Sequence, residues 1–553
     1  VSTDSDVMTS VVRALCERIN TPRALSVWLC FQYSPEDLLN LPQPDVANND
    51  TNQFALDYFI TEYLSKYKGV KTSVNLAGAA IGKWILSEQR CAETNRRFKD
   101  IQLRPFTGRV ESALFGAQRK IAAVLGPLNY SRLFADCKWG PGATFDLKRI
   151  DAHAEQKMSQ AISVTANALP IFRRVVEGDL HWIADLLGFM PSGPCSVVPQ
   201  TFSLVRGSRL LTVPKNAKTD RVIAAEPTGN SFLQQGVHSY LRKRLARFGV
   251  RLDDQSISQN RARAAYDHGF ATLDLSMASD LISREVVYHL LPLEWAWLLD
   301  LLRSPETRVR GEWVRTEKFA SMGNAFCFEL ETLIFWALCA SMDQVLGGVG
   351  DVTVFGDDII VPQKSAAACI ELLDACGFTL NAKKSFLSGN FYESCGKHYH
   401  RSVDVSPTYQ KEILNHPSEF IRAHNRLVRL SSRLGVFVFS KALRILRNAY
   451  PLAPFPRIPF GAVEDGGFLT DPSALSWDRN RGYKCHVYDY RPGYIPVRES
   501  AMLAYKLRRP VESNPSHEGW ARRVTQGAWR SKVRWVPESS LGHESVIDNL
   551  ITD

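Results

Sequence analysis

Through the first 200 positions apolar residues recur mostly at helical spacing. Val7 to Ile19, Gln53 to Tyr67 and Ala161 to Val176 each predict a helix, separated by proline-rich breaks such as Leu41 to Asp45. The period changes at Arg209. Leu210-Leu211-Thr212-Val213 leads into Pro214-Lys215-Asn216-Ala217-Lys218-Thr219 and then Arg221-Val222-Ile223-Ala224, the pattern of a basic hairpin over 209–227. Phe270 to Leu275 predicts a short apolar strand interrupted by one acid, and Asp351 to Val361 predicts two short strands around Gly356-Asp357-Asp358. A buried helix is expected over Phe328 to Ala340. Another should follow Ser365 as its cap, with Ala366, Ile370 and Leu373 on one face and Gly377 as its stop. Beyond 411 the chain returns to basic helix, and then to a stretch from 451 to 496 whose prolines, glycines and aromatics predict irregular structure. Soft boundaries fall near 250 and 410.

Composition narrows the class. With 553 residues, 45% hydrophobic and 22% charged, the chain has the mixture of a globular protein with a large core, which excludes fibrous and disordered classes. Lys and Arg number 67 against 57 Asp and Glu, and residues 411–553 hold 22 basic against 14 acidic side chains. The C-terminal quarter therefore carries most of the excess, a field suited to a polyanionic partner. The 11 cysteines are scattered with no C-x-x-C pair, which predicts reduced thiols and excludes a disulfide framework or a zinc ribbon. No run approaches the ~18 apolar residues of a membrane span. Val1 to Ser10 has neither a basic nor an apolar region, so no signal peptide is expected.

Val354-Phe355-Gly356-Asp357-Asp358-Ile359-Ile360 places two adjacent acids at a tight turn between apolar strands. Like charges there repel and neither strand offers a counter-ion, so a divalent cation would remove the cost; the competing reading is an exposed hairpin turn. Asp274, at the end of its own apolar strand, and Asp280, six residues later, change the balance. Strand-end carboxylates from two strands can converge on a pair of Mg²⁺ ions about 3.5 to 4 Å apart, which activate a hydroxyl and stabilise a leaving pyrophosphate. On local sequence alone Asp274 is otherwise a lone exposed acid and Asp280 a helix cap. Lys215, Lys218 and Arg221 either hold a triphosphate or form a solvated turn. Arg422, Arg426, Arg429 and Arg433 recur at spacings of four, three and four on one helical face, which is either solvated or a rail for an RNA backbone. Gly78 to Trp84 is one residue short of a P-loop and lacks its Ser or Thr, so it reads as helix. Cys395, His398 and His400 have no fourth ligand nearby, so zinc is not expected.

Five segments taken together carry a resemblance. Ala271-Thr-Leu-Asp-Leu-Ser-Met-Ala-Ser-Asp280, Ser321-Met-Gly-Asn-Ala-Phe-Cys-Phe-Glu-Leu-Glu331, Phe355-Gly-Asp-Asp358, Asn381-Ala-Lys-Lys-Ser-Phe386 and Phe391-Tyr-Glu-Ser-Cys-Gly-Lys-His398 resemble, in order, motifs A to E of RNA-dependent RNA polymerases. More narrowly they resemble the replicase beta subunit of single-stranded RNA bacteriophages, the Qbeta-type leviviruses. Val213 to Arg221 is similar to that family's NTP-channel motif F, and the match covers about residues 205 to 410. The resemblance implies an α+β right-hand polymerase: fingers over 1–250, a palm of antiparallel sheet and flanking helices over 251–410, and a basic thumb over 411–553. It implies Asp274, Asp357 and Asp358 as ligands of two Mg²⁺ ions, for which Mn²⁺ could substitute, and Asp280 beside the ribose of the incoming nucleotide. Ser321, Gly323 and Asn324 would form the loop that seats template and nucleotide. Lys383 or Lys384 would protonate pyrophosphate, with Lys384 the nominated residue. Ala325 stands where these replicases usually carry Gly, and Cys327 where they carry Thr, which implies a stiffer loop without a hydroxyl at 327. The implied partners are RNA template and product, NTPs, host elongation factors Tu and Ts and a small-subunit ribosomal protein, in the cytoplasm of an infected bacterium. Phe455, Phe460, Trp477 and Tyr483 are candidate interface anchors. Two rivals stand beside this reading: a reverse transcriptase, which more usually carries Tyr-x-Asp-Asp at the acidic turn, and a non-catalytic RNA-binding scaffold, which leaves the spaced acids unexplained.

Overall fold

The computed structural model describes residues 4–70, 73–152, 154–159, 161–187, 202–216, 219–435, 439–495 and 523–541. The fold is α+β and is organised around one helix. Cys327–Val345 is apolar on nearly every side and is therefore buried, with Leu330, Leu333, Ile334, Phe335 and Leu338 fully shielded. The Gly108–Leu125 helix packs along it and presents Val110, Ala113, Ala117 and Ile121 to the same core. Against this central helix lie three antiparallel strands in the order Phe270–Leu273, Asp358–Pro362, Thr353–Phe355. The Gln363–Ala375 and Ser256–His268 helices also contact these strands. That cover explains why Ala271, Leu273, Ile359, Ile360 and Val361 form almost continuous apolar runs.

The basic hairpin forms as expected, Gly207–Asn216 pairing with Thr219–Ala225 so that Val213 lies opposite Arg221. It extends into a four-stranded sheet through a parallel pairing with Glu306–Val309, and Glu312–Arg315 closes the far edge. The Leu76–Lys99 helix, which contains the P-loop-like stretch, packs on this hairpin.

Four expectations need correction. The helix foreseen from Ala161 to Val176 is a strand, Ile162–Thr165, followed by a helix only at Leu169–Glu177. Ile-Ser-Val-Thr is fully buried, its β-branched side chains suit a strand paired with Phe202–Val205, and Pro170 belongs in a first helical turn. The second N-terminal helix runs Thr51–Tyr63, begun by the Asp50 carboxylate accepting from the Asn52 and Gln53 amides. Ser365 does not cap. It lies inside Gln363–Ala375 with its hydroxyl donating back to the Pro362 carbonyl, although Gly377 ends the helix at φ +89° as foreseen. Finally, 451–496 is not irregular: Arg457–Pro459, Phe468–Thr470, Ser476–Asp478 and Gly482–Ile495 join Arg523–Val536 in a five-stranded sheet.

The hydrophobic interior also departs from the expected division at 250. Residues from Cys91 to Leu252 share one core with Ala271 to Phe378, whereas Val7 to Val70 pack with Leu414 to Val536 in a second. Most of the core residues between Val7 and Val70 thus belong with the C-terminal region, while Phe54, Ala55 and Tyr58 pack against Phe391 and Val405. In that second core Phe460 is buried, Phe455 stacks on Phe468 with ring centroids 4.5 Å apart, and Tyr483 packs against it. Three of the four proposed surface anchors are therefore core residues, and Trp477, 53% exposed, is the exception. The described cysteines are free, and no described helix is long and apolar enough to cross a membrane.

Candidate active site

The acidic turn depends on its glycine. Gly356 has φ +62°, and a Cβ there would overlap the Phe328 ring. Its amide donates to Thr332 Oγ1 at 3.0 Å, which ties the turn to the central helix. Leu273 pairs with Ile359, so Asp274, one residue further along its strand, comes opposite Asp358. The carboxylates then share one neighbourhood. Burial, reinforced by Asp357, holds the pKa of Asp274 above the usual carboxylate range, and the same two causes push Asp358 up to about 6. Glu331 joins them from the central helix. It accepts from Ser279 Oγ at 2.6 Å, and burial, with Asp357, Glu329 and Asp280 adding to it, raises its pKa to about 8.

Asp274 Oδ2 accepts from Asn381 Nδ2 at 2.6 Å and Asp358 Oδ2 from the Cys395 amide at 3.2 Å, while Asp357 makes no hydrogen bond among the described residues. Among those residues no three carboxylates, histidines or cysteines are gathered into a formed metal-ligand cluster. The donor set nevertheless fits a hard divalent cation: these are crowded oxygen ligands, and burial together with the neighbouring Asp357 raises the pKa values of Asp274 and Asp358.

The main positive charge comes from a segment that runs back beside Asp274. Thr379–Leu380 pairs with Leu275–Ser276, the Asn381 amide donates to the Asp274 carbonyl at 2.9 Å, and Ser385 Oγ accepts from the Asp274 amide at 3.0 Å. Phe386 and Thr272 exchange two backbone hydrogen bonds. This brings Lys384 to 3.8 Å from Glu393. Desolvation works against its charge, but Glu393, Asp274, Asp358 and Asp357 outweigh it and raise the lysine's pKa. Both Lys383 and Lys384 are exposed, but among the described residues only Lys384 pairs with an acid, so it is the lysine that faces the acids.

Ser321, Gly323 and Asn324 lie in a loop clipped to the base of the basic hairpin. The Ala224 amide donates to the Met322 carbonyl at 2.8 Å, and the Ala325 amide donates to Gln234 Oε1 at 3.2 Å. Gly323 sits at φ +116°, where a Cβ would overlap the Ala224 carbonyl oxygen. Ala325 is not among the positive-φ residues, so its methyl group carries no backbone strain. Asn324 is buried, with Oδ1 accepting from the Phe326 amide at 3.0 Å and Nδ2 left without a partner. Asp280 is held by the Lys318 ammonium at 2.9 Å and caps nothing, since Ser283 occupies the N-cap position of the Arg284–Leu290 helix that follows.

Lys215 and Arg221 are exposed on the hairpin. Desolvation lowers the pKa of Lys215, as do the cations of Arg221, Lys384 and Lys83, while Asp357 acts in the opposite sense, so this positive cluster lies within electrostatic reach of the acidic turn. Lys218 falls outside the described residues. The arginine face of the Pro417–Leu434 helix is not the open rail its spacing allowed. Arg422 pairs with Glu419 at 2.7 Å, Arg426 with Glu412 at 2.8 Å and Arg429 with Asp465 at 2.9 Å, while Arg433 bonds the Ser406 carbonyl and lies 3.9 Å from Asp404. Most of those acids come from other segments, so a helix read by itself could not reveal them. Glu331, Asn381 and Ser385 stood inside the motif-like segments without being singled out. Glu393 likewise stood inside the Phe391–His398 segment and Lys83 inside the P-loop-like stretch, whereas Lys318 gave no signal.

A family model described as RNA replicase, beta-chain, matches residues 4–455. The chain is 36% identical over 473 residues to the RNA-directed RNA polymerase subunit beta of Escherichia virus Qbeta, covering 83% of this chain and 75% of that one. It is 34% identical over 574 residues to the subunit of Enterobacteria phage SP, covering 98% and 94%. To the beta chain of Escherichia phage MS2 it is 40% identical over 314 residues, 56% of each. Among solved structures, the RNA-dependent RNA polymerase of a human picorbirnavirus matches with a TM-score of 0.34 at 13% identity over 66% of this chain and 84% of that one.

Proposed function

This chain belongs to the RNA replicase beta-chain family and is an RNA-directed RNA polymerase of the single-stranded RNA phage type, and from that premise we propose that it joins nucleotides by two-metal transfer at Asp274, Asp357 and Asp358. The observation that supports this most is their convergence: Asp274 and Asp358 come opposite each other on paired strands beside Asp357, burial and the Asp357 charge raise the pKa values of both, and Lys384 is the principal facing cation. These acids would hold two divalent cations, Mg²⁺ or its substitute Mn²⁺. When bound, such ions lower the pKa of a 3′-hydroxyl and neutralise the triphosphate. Lys215, Lys218 and Arg221 hold the phosphates of the incoming NTP. As the 3′-hydroxyl releases its proton to solvent and its oxygen bonds to the α-phosphorus, the bond to the bridging oxygen breaks, and Lys384 gives its proton to the departing pyrophosphate.

Sugar and base are met from the other side. Asp280 and Asn324 read the ribose 2′-hydroxyl, which would supply the partner that Asn324 Nδ2 lacks. Ser321 and Gly323 seat the template and nucleotide. The lobes in this reading are fingers to about 250, a palm over 251–410 that shares one core with residues 91–252, and a thumb from 411 whose core is completed by residues between Val7 and Val70. The proposal extends to the cytoplasm of an infected bacterium and to a complex with host elongation factors Tu and Ts and a small-subunit ribosomal protein, for which exposed Trp477 is an available contact.

The test is incorporation of labelled NTPs on an RNA template by purified chain, alone and with host extract, across a Mg²⁺ series. Metal-dependent, template-dependent product is expected, and synthesis that is indifferent to chelation would overturn the two-metal reading. Tagged chain recovered from its host should bring elongation factor Tu with it in near-equal amount; full activity of the lone chain would remove the partner proposal.

A further inference from the structure

Lys318 carries one of the most deeply buried charges among the described residues, with a side chain 1% exposed, and nothing in the reaction above uses it. A buried ammonium is strongly unfavourable unless paired and hydrogen-bonded. Here it donates to Asp280 Oδ1 at 2.9 Å and to Ser87 Oγ at 2.9 Å, stands 3.3 Å from Glu88 Oε1, and lies 4.8 Å over the Trp84 ring. Its backbone is pinned as well. The Glu317 amide donates to Glu88 Oε2 at 2.6 Å, Lys318 bridges to Ser283, and the Phe319 amide donates to the Ile282 carbonyl at 2.7 Å.

The partners share one origin. Trp84, Ser87, Glu88 and Cys91 recur at helical spacing on the Leu76–Lys99 helix, and Cys91 Sγ donates to the Asp280 carbonyl at 3.4 Å. One face of that helix therefore grips Asp280 at its backbone directly and at its side chain through Lys318. Asp280 Oδ1 is occupied by the ammonium, whereas Oδ2 accepts no hydrogen bond among the described residues.

We propose that Lys318 is a positioning residue for ribose selection: it immobilises Asp280 through Oδ1 so that Oδ2 alone is presented to the 2′-hydroxyl of the incoming nucleotide. This rests on the reading of Asp280 as a sugar-contacting residue. A carboxylate held in one rotamer accepts from a hydroxyl at a fixed place and leaves a deoxy analogue with an unmet acceptor. A carboxylate free to rotate can turn away and satisfy itself with water, so it discriminates less.

The experiment compares kcat/KM for rNTP and dNTP in wild type, Asp280→Ala, Lys318→Gln, Glu88→Gln and the double variant Asp280→Ala with Lys318→Gln. Lys318→Gln is expected to lower the rNTP-to-dNTP ratio about tenfold or more. Glu88→Gln, which leaves the ammonium on Asp280, should keep the ratio. In the Asp280→Ala background the lysine change should have no further effect on it, the non-additivity of residues acting through one another. If Asp280→Ala lowers the ratio and Lys318→Gln does not, the positioning role is overturned while the sugar reading stands. An unchanged ratio in Asp280→Ala removes the sugar reading itself. Should Lys318→Gln melt too low to assay, Lys318→Met combined with Glu88→Gln, which removes a buried acid along with the ammonium, carries the same comparison.

Discussion

Around the acidic turn, Asp274, Asp357, Asp358 and Glu331 crowd one another and Lys384 is the principal cation that faces them. Along the Pro417–Leu434 helix, Arg422, Arg426 and Arg429 each have a carboxylate of their own within 3 Å, and Arg433 has a backbone carbonyl. Both regions are dense in charge of one sign in the sequence. In the first the fold holds like charges together in partly desolvated surroundings, and the raised pKa values of Asp274 and Asp358 are the mark of that imbalance. In the second three arginines have a carboxylate of this chain and the fourth a carbonyl, so most of the positive charge is met within the fold. What separates a place prepared for a ligand from a structural one is unbalanced charge at a buried position, not the number of charged residues.

The strongest way to break this comparison is to remove the imbalance. Asp274→Asn or Asp357→Asn should lower RNA synthesis by orders of magnitude, since each removes a ligand charge with little change of volume. The same variants should keep or slightly raise the melting temperature, because a source of like-charge repulsion is gone. Incorporation assays alongside thermal melts decide it, and near-normal synthesis by either variant would return the turn to an ordinary hairpin.

The second test acts on the other region. Replacing Arg422, Arg426, Arg429 and Arg433 together by Gln leaves Glu419, Glu412 and Asp465 without their partners. Breaking such partly exposed ion pairs costs up to about 1 kcal/mol each, so the variant should be less stable by up to about 3 kcal/mol. Its salt dependence of RNA binding should stay as in wild type. A slope that falls by about 0.7 per arginine instead, the single-strand value per lost phosphate contact, would reinstate the rail.

How much of this was legible in the sequence follows the range of the interactions. The acidic turn is local: apolar flanks, a glycine and two acids within seven residues specify it, and the strand ending at Asp274 is equally short-range. The arginine helix was legible as a helix, but its meaning was not, because Glu412 and Asp465 arrive from loops and Asp404 from the short Val403–Asp404 strand, none of which the helical periodicity addresses. Glu331 was hidden inside a long apolar helix and was not singled out. Lys318 and Glu88 are 230 positions apart and meet only because the Leu76–Lys99 helix docks beside Asp280. The C-terminal sheet was missed because glycines and prolines crowd its turns and even enter its strands at Pro459, Gly482, Pro492 and Gly493, while the alternation of buried Cys485 and Val487 with exposed Lys484 and His486 lay between them.

A third acid separates burial from crowding. Glu226 is buried at the base of the basic hairpin, where it accepts from Ser304 Oγ at 2.7 Å and Gln234 Nε2 at 3.1 Å. Burial pushes its pKa up to about 7 from an ordinary 4.5, while those hydrogen bonds and Arg303 pull the other way and no neighbouring acid contributes. Between pH 4.5 and 7 the folded chain therefore keeps a proton that the unfolded chain has released. Its contribution to stability is fully present below the lower value and is lost as pH rises through the higher one. The loss is about 3 kcal/mol at most. Glu226→Gln mimics the protonated side chain and should flatten this fall: melting temperatures of variant and wild type should agree near pH 4.5 and separate by pH 8, the variant being the higher. Parallel melting curves across that range would mean that burial alone does not unbalance an acid in this fold, and the raised values at the acidic turn would then be assigned to crowding by like charge.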